Sequence, residues 1–176
     1  MGLIVQATSH GIMMIWMGEE IGEYKERTPG VAKLDWNLIG ERADNSNAIN
    51  NEQLQFYQDV IHLRKQNYAL IAPNFEFIYE HIENQILTWY RWHNQMNEND
   101  SESNHVIVVC NWSSNIYETY DIPNIPFDGH WYEWLNHDKE YLVQDKKLTV
   151  DHFIDHTARI FIYQKRKTDG NKRSTA

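Results

Sequence analysis

The spacing of apolar residues changes character once along the chain, close to Pro73. Upstream, residues 12–17 (Ile-Met-Met-Ile-Trp-Met) form an unbroken apolar run between Gly11 and Gly18. Six residues suit a strand and are too few for a buried helix. The lack of alternation predicts a strand covered on both faces, as in a parallel sheet. Residues 1–10 read as the end of a helix leading into it. Residues 19–44 carry glycine, proline and charge without a sustained period, which predicts a long loop of the kind that is usually functional or disordered. Within it Leu34-Asp35-Trp36 is an apolar anchor around a carboxylate. Residues 51–67 return to the helical period: Leu54, Phe56, Tyr57, Val60, Ile61 and Leu63 share one half-circle. Glu52 near the start and Lys65 near the end suit the helix dipole, and Asn67 can close the last turn. Arg64 breaks the pattern by pointing into the apolar half. It either snorkels along its stem or is a buried guanidinium paired to a carboxylate, with Glu19, Glu20 or Asp35 as partner.

Downstream of Pro73 the runs shorten. Residues 74–79, 86–92, 106–112, 116–122, 131–135, 148–150 and 158–164 are rich in β-branched and aromatic residues. Asn, Asp, Gly and Pro turns separate them, with no helical period between, which predicts an antiparallel all-β domain of β-sandwich type. Residues 106–110, apolar on both faces, are the expected central strand. Residues 95–104 (QMNENDSESN) read as a polar hairpin insertion. The expected organisation is 1–70, 71–166 as the all-β domain, and 167–176 as a disordered basic tail.

Charge narrows the partners. A net charge of −9 argues against nucleic acid, whose phosphates need a basic surface. An acidic chain with 13% aromatic residues, including seven Trp and ten Tyr, suits a neutral ligand such as sugar, although most of the rings are expected in sheet cores. Trp112, Trp131 and Trp134 are the candidates for sugar stacking. The single cysteine, Cys110, has no internal disulfide partner and predicts a reducing, cytoplasmic setting. No segment has the length of a membrane span, and the N-terminus lacks signal-peptide grammar.

The candidate chemistry is sparse. Glu19-Glu20 invites comparison with the carboxylate pair of glycoside hydrolysis, but adjacent residues leaving a strand point to opposite faces. A supporting role is therefore expected. Asp151-His152 and Asp155-His156 imitate a helical metal pair. On a strand, however, i and i+4 lie about 13 Å apart, too far for one ion. No phosphate loop, serine nucleophile motif or Cys-X-X-Cys is present, so no catalytic residue, metal or cofactor is assigned.

Three motifs in this order carry a resemblance. Gly11-Ile12-x-Met14-Ile15-Trp16-Met17-Gly18-Glu19-Glu20-Ile21-Gly22-Glu23-Tyr24, Leu34-Asp35-Trp36 and Phe56-Tyr57-x-x-Val60-Ile61-x-Leu63-Arg64-Lys65 resemble the end of the catalytic barrel of the α-amylase superfamily (glycoside hydrolase family 13). More narrowly, they resemble the bacterial 1,4-α-glucan (glycogen) branching enzymes. Residues 106–111 with Trp112-Ser113, and later Gly129-x-Trp131-x-Glu133-Trp134, resemble that family's C-terminal β-domain. His10 and Met13 depart from it, standing where relatives often carry proline.

The resemblance implies that residues 12–17 are the eighth strand of a (β/α)₈ barrel and 52–67 the eighth helix. Trp16, Glu19, Glu20, Asp35, Trp36 and Arg64 would then shape or support the substrate cleft. The family's three catalytic carboxylates have no counterpart here, so the chain reads as a carboxyl-terminal piece, inactive alone. It would belong to an enzyme that moves α-1,4-glucan segments into α-1,6 branches in glycogen synthesis. A lone barrel strand exposes edges and apolar faces. The N-terminal part is therefore expected to be poorly ordered, to self-associate, or to dock on a partner chain carrying the rest of the barrel. The alternatives are a non-catalytic glucan-binding or docking module, and an inactive remnant.

Overall fold

A computed structural model describes residues 1–25, 33–40, 46–93 and 104–163. The expectations for the tip of the 95–104 insertion and for the 167–176 tail lie outside these residues. Helix α1 (Gly2–Thr8) is followed, after residues 11–17, by a short 3₁₀ turn at Glu19–Ile21 and another at Trp36–Leu38. Helices α2 (Ala48–Gln66) and α3 (Tyr68–Ile71) come next. Asn67 ends the first of these two, and its side chain accepts the Ala69 N–H (3.0 Å), capping the second. Among the described residues eight strands follow: β1 (Asn74–His81), β2 (Ile86–Trp92), β3 (His105–Asn111), β4 (Tyr117–Ile122), β5 (Gly129–Glu133), β6 (Asn136–Val143), β7 (Leu148–Phe153) and β8 (Thr157–Tyr163).

All strand pairings are antiparallel, in a six-stranded sheet of order β1-β2-β3-β8-β5-β6 and a separate pair β4-β7. The pleat sorts side chains into two cores. Val106, Val108, Cys110, Ala158, Ile160 and Ile162 pack with Leu3, Ile4, Tyr57, Val60 and Leu63 of the helices. Ile107, Val109 and Phe161 face the other way and meet Ile122, Leu148, Val150 and Phe153 of the small sheet. The result is three layers: helices, six-stranded sheet, two-stranded sheet. Val106 through Cys110 are fully buried, as an apolar run on an inner strand requires.

Two departures from the sequence reading have physical causes. No strand is expected at 136–143, yet β6 is there. Among the described residues its ladder partner is β5, and as an edge strand it carries charge, while Tyr141 and Val143 are buried. Conversely, residues 12–17 form no ladder among the described residues. Met13 and Ile15 pack on the helical core, while Ile12 is 99% exposed and Met14 and Trp16 stand out beside it. The period of two survives without neighbours, so the expectation of burial on both faces fails for want of partner strands.

Arg91 joins the layers. Its side chain is 1% exposed, and its Nε donates to the Asn74 carbonyl (3.0 Å). Nη1 donates to Thr8 (2.7 Å), and Nη2 to Leu70 (3.1 Å) and Ala72 (2.6 Å). Burial, with Arg64 nearby, lowers its pKa to about 10, so it remains charged at neutral pH. Replacing it by Met should remove four bonds and leave buried carbonyls without donors, at about 1–3 kcal/mol for each group that water cannot reach. Urea denaturation of Arg91→Met is therefore expected to show a loss of at least about 2 kcal/mol; an unchanged midpoint would mean the guanidinium holds nothing.

Candidate functional site

Residues 11–25 and 33–40 are laid out along α2. The Gly11 carbonyl accepts from Arg64 Nη2 (2.5 Å), and the Glu19 carbonyl accepts from Gln53 Nε2 (2.6 Å). The segment therefore runs back along about 16 Å of helix. Fully buried Ile21 anchors the turn, and its carbonyl accepts from Asn50 Nδ2 (2.8 Å). Gly22 is required there: its φ is 68°, and a Cβ would meet Asn50 Nδ2 at 2.8 Å. Farther along, Asn51 clasps Gly40 by two bonds of 2.9 Å, one to its N–H and one to its carbonyl.

The acidic residues of this segment bind their own backbone. Glu19 Oε2 accepts the Trp16 N–H (3.1 Å), and Glu20 Oε2 accepts the Gly18 N–H (3.0 Å). They shape the turn that follows the apolar run. Glu23 ties the two loop pieces together by accepting the N–H of Asp35 (2.8 Å) and of Lys25 (3.1 Å). These bonds, that from Asp35 foremost, hold its carboxyl below the ordinary range. Asp35 is likewise lowered, chiefly by the Asn37 side-chain amide (2.9 Å) and then by the Asn37 N–H, with Lys25 3.3 Å away. Tyr57 is raised to about 12, by burial first and then by its hydrogen bond with Glu19. Around this scaffold Trp16 is 62% and Trp36 64% exposed, with Met14, Met17 and Tyr24 also open to solvent.

Arg64 corrects one expectation. It donates to the carbonyls of Ala7, Ser9 (3.3 Å) and Gly11, and no carboxylate pairs with it among the described residues. The C-terminus of a helix offers unpaired carbonyls and partial negative charge, which serve a guanidinium as an acid would. The three β-domain indoles also separate. Trp131 is fully buried against Phe127 and Tyr163 and offers no face to a sugar, which corrects its assignment as a stacking residue. Trp134 is half-buried on the helical core, and Trp112 is 41% exposed.

Sequence reasoning passed over a second charged cluster. Arg159 donates through Nε to Glu133 Oε1 (2.7 Å), through Nη1 to the Asp151 carbonyl (2.6 Å), and through Nη2 to Glu133 Oε2 and to the Tyr141 hydroxyl. Tyr141 in turn donates to Asp151 (2.6 Å), which Lys139 also binds. Each carboxylate is engaged by a cation, so the cluster ties β5, β6, β7 and β8 together and presents no free acid or base. Its legible signal was Arg159, a lone charge within an apolar strand. Among the described residues no group of three or more His, Cys, Asp or Glu side chains is arranged to hold a metal, and no helix is long and apolar enough to cross a membrane.

The family model described as "Alpha amylase, C-terminal all-beta domain" matches residues 78–166. No curated protein matches the sequence. Among solved structures, the chain resembles an alpha-amylase from Geobacillus thermoleovorans complexed with acarbose: 18% identity, 94% of this chain, 32% of that one, TM-score 0.63. It also resembles a cyclomaltodextrinase, at 17% identity over 92% of this chain and 25% of that one, TM-score 0.64. A debranching enzyme from Nostoc punctiforme is similar at 18% identity over 91% and 30%, TM-score 0.52. At such identities the likeness establishes the fold, and the chain spans a quarter to a third of the length of these structures.

The Asp151 cluster gives the β-domain a signature in acid. Burial raises the Asp151 carboxyl, but the bonds from Lys139 and Tyr141 outweigh it and hold the pKa at about 2, against an ordinary 3.8. A depressed folded-state pKa stabilises above the unfolded value and loses that contribution as pH falls towards the folded value. The urea midpoint is therefore expected to fall between about pH 4 and 2, less steeply in Asp151→Asn, which cannot titrate. Parallel curves for the two proteins would contradict this.

Proposed function

This chain belongs to the family of alpha-amylase C-terminal all-beta domains, and from that premise we propose that it is the closing module of an α-glucan-acting enzyme. In this reading residues 1–70 supply the last strand and helix of a catalytic barrel, and residues 71–166 brace them from outside. The observation that carries the proposal is the one-sided segment 11–17. Met13 and Ile15 are seated on the module's own core, while Ile12, Met14 and Trp16 face outward. A segment with one face seated on the core and the other exposed, and with no ladder among the described residues, fits a sheet that other residues complete. The coverage of more than nine-tenths of this chain by glucan-enzyme structures also supports including the N-terminal part in that fold.

Within the class, the motif resemblance favours a 1,4-α-glucan branching enzyme. Such a reaction passes through a covalent glycosyl intermediate, released by a hydroxyl of another glucan chain in place of water. Trp16 and Trp36 would offer apolar ring faces along the cleft. Glu19, Glu20, Asp35 and Arg64 would hold the segments that present them, and the reacting carboxylates would come from the remainder of the barrel. The single thiol favours a reducing, cytoplasmic setting. Buried Cys110, pushed up to about 12 by burial, is an inert filler rather than a nucleophile.

The test pairs this chain with a second chain carrying the preceding part of such a barrel. Association is expected, and branching of linear α-glucan should arise in the mixture but in neither chain alone. Met14→Lys, which adds a charge to the outward face, should weaken association at least tenfold while moving the urea midpoint little, because Met14 is solvent-exposed in the free chain. Turnover by this chain alone, or indifference of association to Met14→Lys, would overturn the reading.

A further inference from the structure

The chain has five methionines, and three of them fall within residues 13–17. Met13 packs on the helical core, as does Met1. Met14 is 64% exposed on the outward face with Ile12 and Trp16, and Met17, in the turn before Glu19, is 53% exposed. Met96 lies outside the described residues. The backbone that carries the two open thioethers is tied at both ends, by the Gly11 carbonyl to Arg64 and by the Glu19 carbonyl to Gln53. Their exposure belongs to a segment held in place.

The sulfur atoms of the chain therefore differ in what an oxidant can reach. A thioether reacts with a peroxide without first losing a proton, so access governs its rate. A thiol reacts as the thiolate. Cys110 is fully buried, and burial pushes its thiol up to about 12, so it offers a peroxide neither access nor charge. The single cysteine is shut away while two methionines stand open.

We infer that Met14 and Met17 form an oxidation site, at which a peroxide converts the thioethers to sulfoxides and thereby decides whether the segment can dock. In each event the sulfur lone pair attacks one peroxide oxygen and the O–O bond breaks. The S–O bond of the sulfoxide forms, the sulfur is oxidised by two electrons, and the other oxygen, reduced, leaves as water after proton transfer. A sulfoxide is a polar acceptor where the thioether was apolar, so a docked face that carries one must bury it without a donor or stay in water. Met13, shielded on the core, escapes, and the module stays folded while the face it presents changes. Docking and oxidation thus compete for the same side chains. The inference rests on the closing-module proposal and adds a control over assembly.

The experiment treats the full chain with hydrogen peroxide and maps the products by peptide mass spectrometry. Addition of oxygen at Met14 and Met17 is expected about tenfold or more faster than at Met13 and Met1, with Cys110 unmodified. The urea midpoint should move little, whereas association with the barrel-bearing chain should weaken about tenfold or more. Methionine sulfoxide reductases of both epimer specificities, with dithiothreitol as the dithiol that becomes a disulfide, should restore it. The double variant Met14→Leu, Met17→Leu, compared with its own untreated sample, should show no response to peroxide. Equal oxidation of Met13 and Met14, a large fall in midpoint accompanying the loss, or a response that persists in the double variant overturns the inference. The untreated chain reads the parent proposal separately. If it does not associate, that proposal falls and the switch with it; association that survives oxidation removes the switch alone.

Discussion

Two guanidinium groups hold the carbonyl end of one short helix, and the relation between the N-terminal segment and the β-domain depends on them. Arg91 reaches from β2 to Thr8, and Arg64 reaches from α2 to Ala7, Ser9 and Gly11. Thr8 and Ser9 return their hydroxyls to the Ile4 (2.7 Å) and Val5 (2.6 Å) carbonyls. Of the carbonyls from Ile4 to Gly11, those that close the helix thus find donors, which a buried helix end requires. No carboxylate among the described residues balances Arg91, so the cost of burying its charge is met by oriented peptide dipoles from α1, α3 and the start of β1. This differs from the Arg159 cluster on the other face of the sheet, where Glu133 supplies a formal counter-charge.

The functional consequence follows from where Arg64 lets go. Beyond Gly11 the Glu19 carbonyl is again tied to α2, and between them Met13 and Ile15 pack on the helical core. The clamp therefore delivers a segment of fixed position with one face satisfied and the other bare. That geometry suits a module completed by another part of a fold.

The elements with strong periods were legible in the sequence, and those set by tertiary context were not. The apolar half of α2 and the doubly apolar run of β3 announced a core-facing helix and an inner strand, because their side chains meet packed layers on the predicted faces. β6 was hidden because an edge strand keeps only every other residue inward and spends the rest on solubility. The run at 12–17 looked like a buried strand because composition alone does not tell a covered face from a bare one: Met13 and Ile15 pack on the helical core, while Ile12, Met14 and Trp16 stand exposed. Arg64 was visible as an anomaly, open to a snorkelling stem or a carboxylate partner; the helix-end carbonyls it does bind exist only once the chain has folded. Trp131 and Trp112 show the same limit. Two indoles that stood alike as stacking candidates are separated by whether the next layer covers them.

Amide hydrogen exchange on the isolated, monomeric chain tests this most directly. The account predicts that the amides of Met13, Met14 and Ile15, which have no acceptor among the described residues, exchange at nearly unprotected rates. The Val106, Val108 and Cys110 amides of β3, and the Val5 amide in α1, should be strongly protected under the same conditions. Protection at 13–15 equal to that of β3 in a monomer would contradict the open-sided segment and the closing-module role drawn from it.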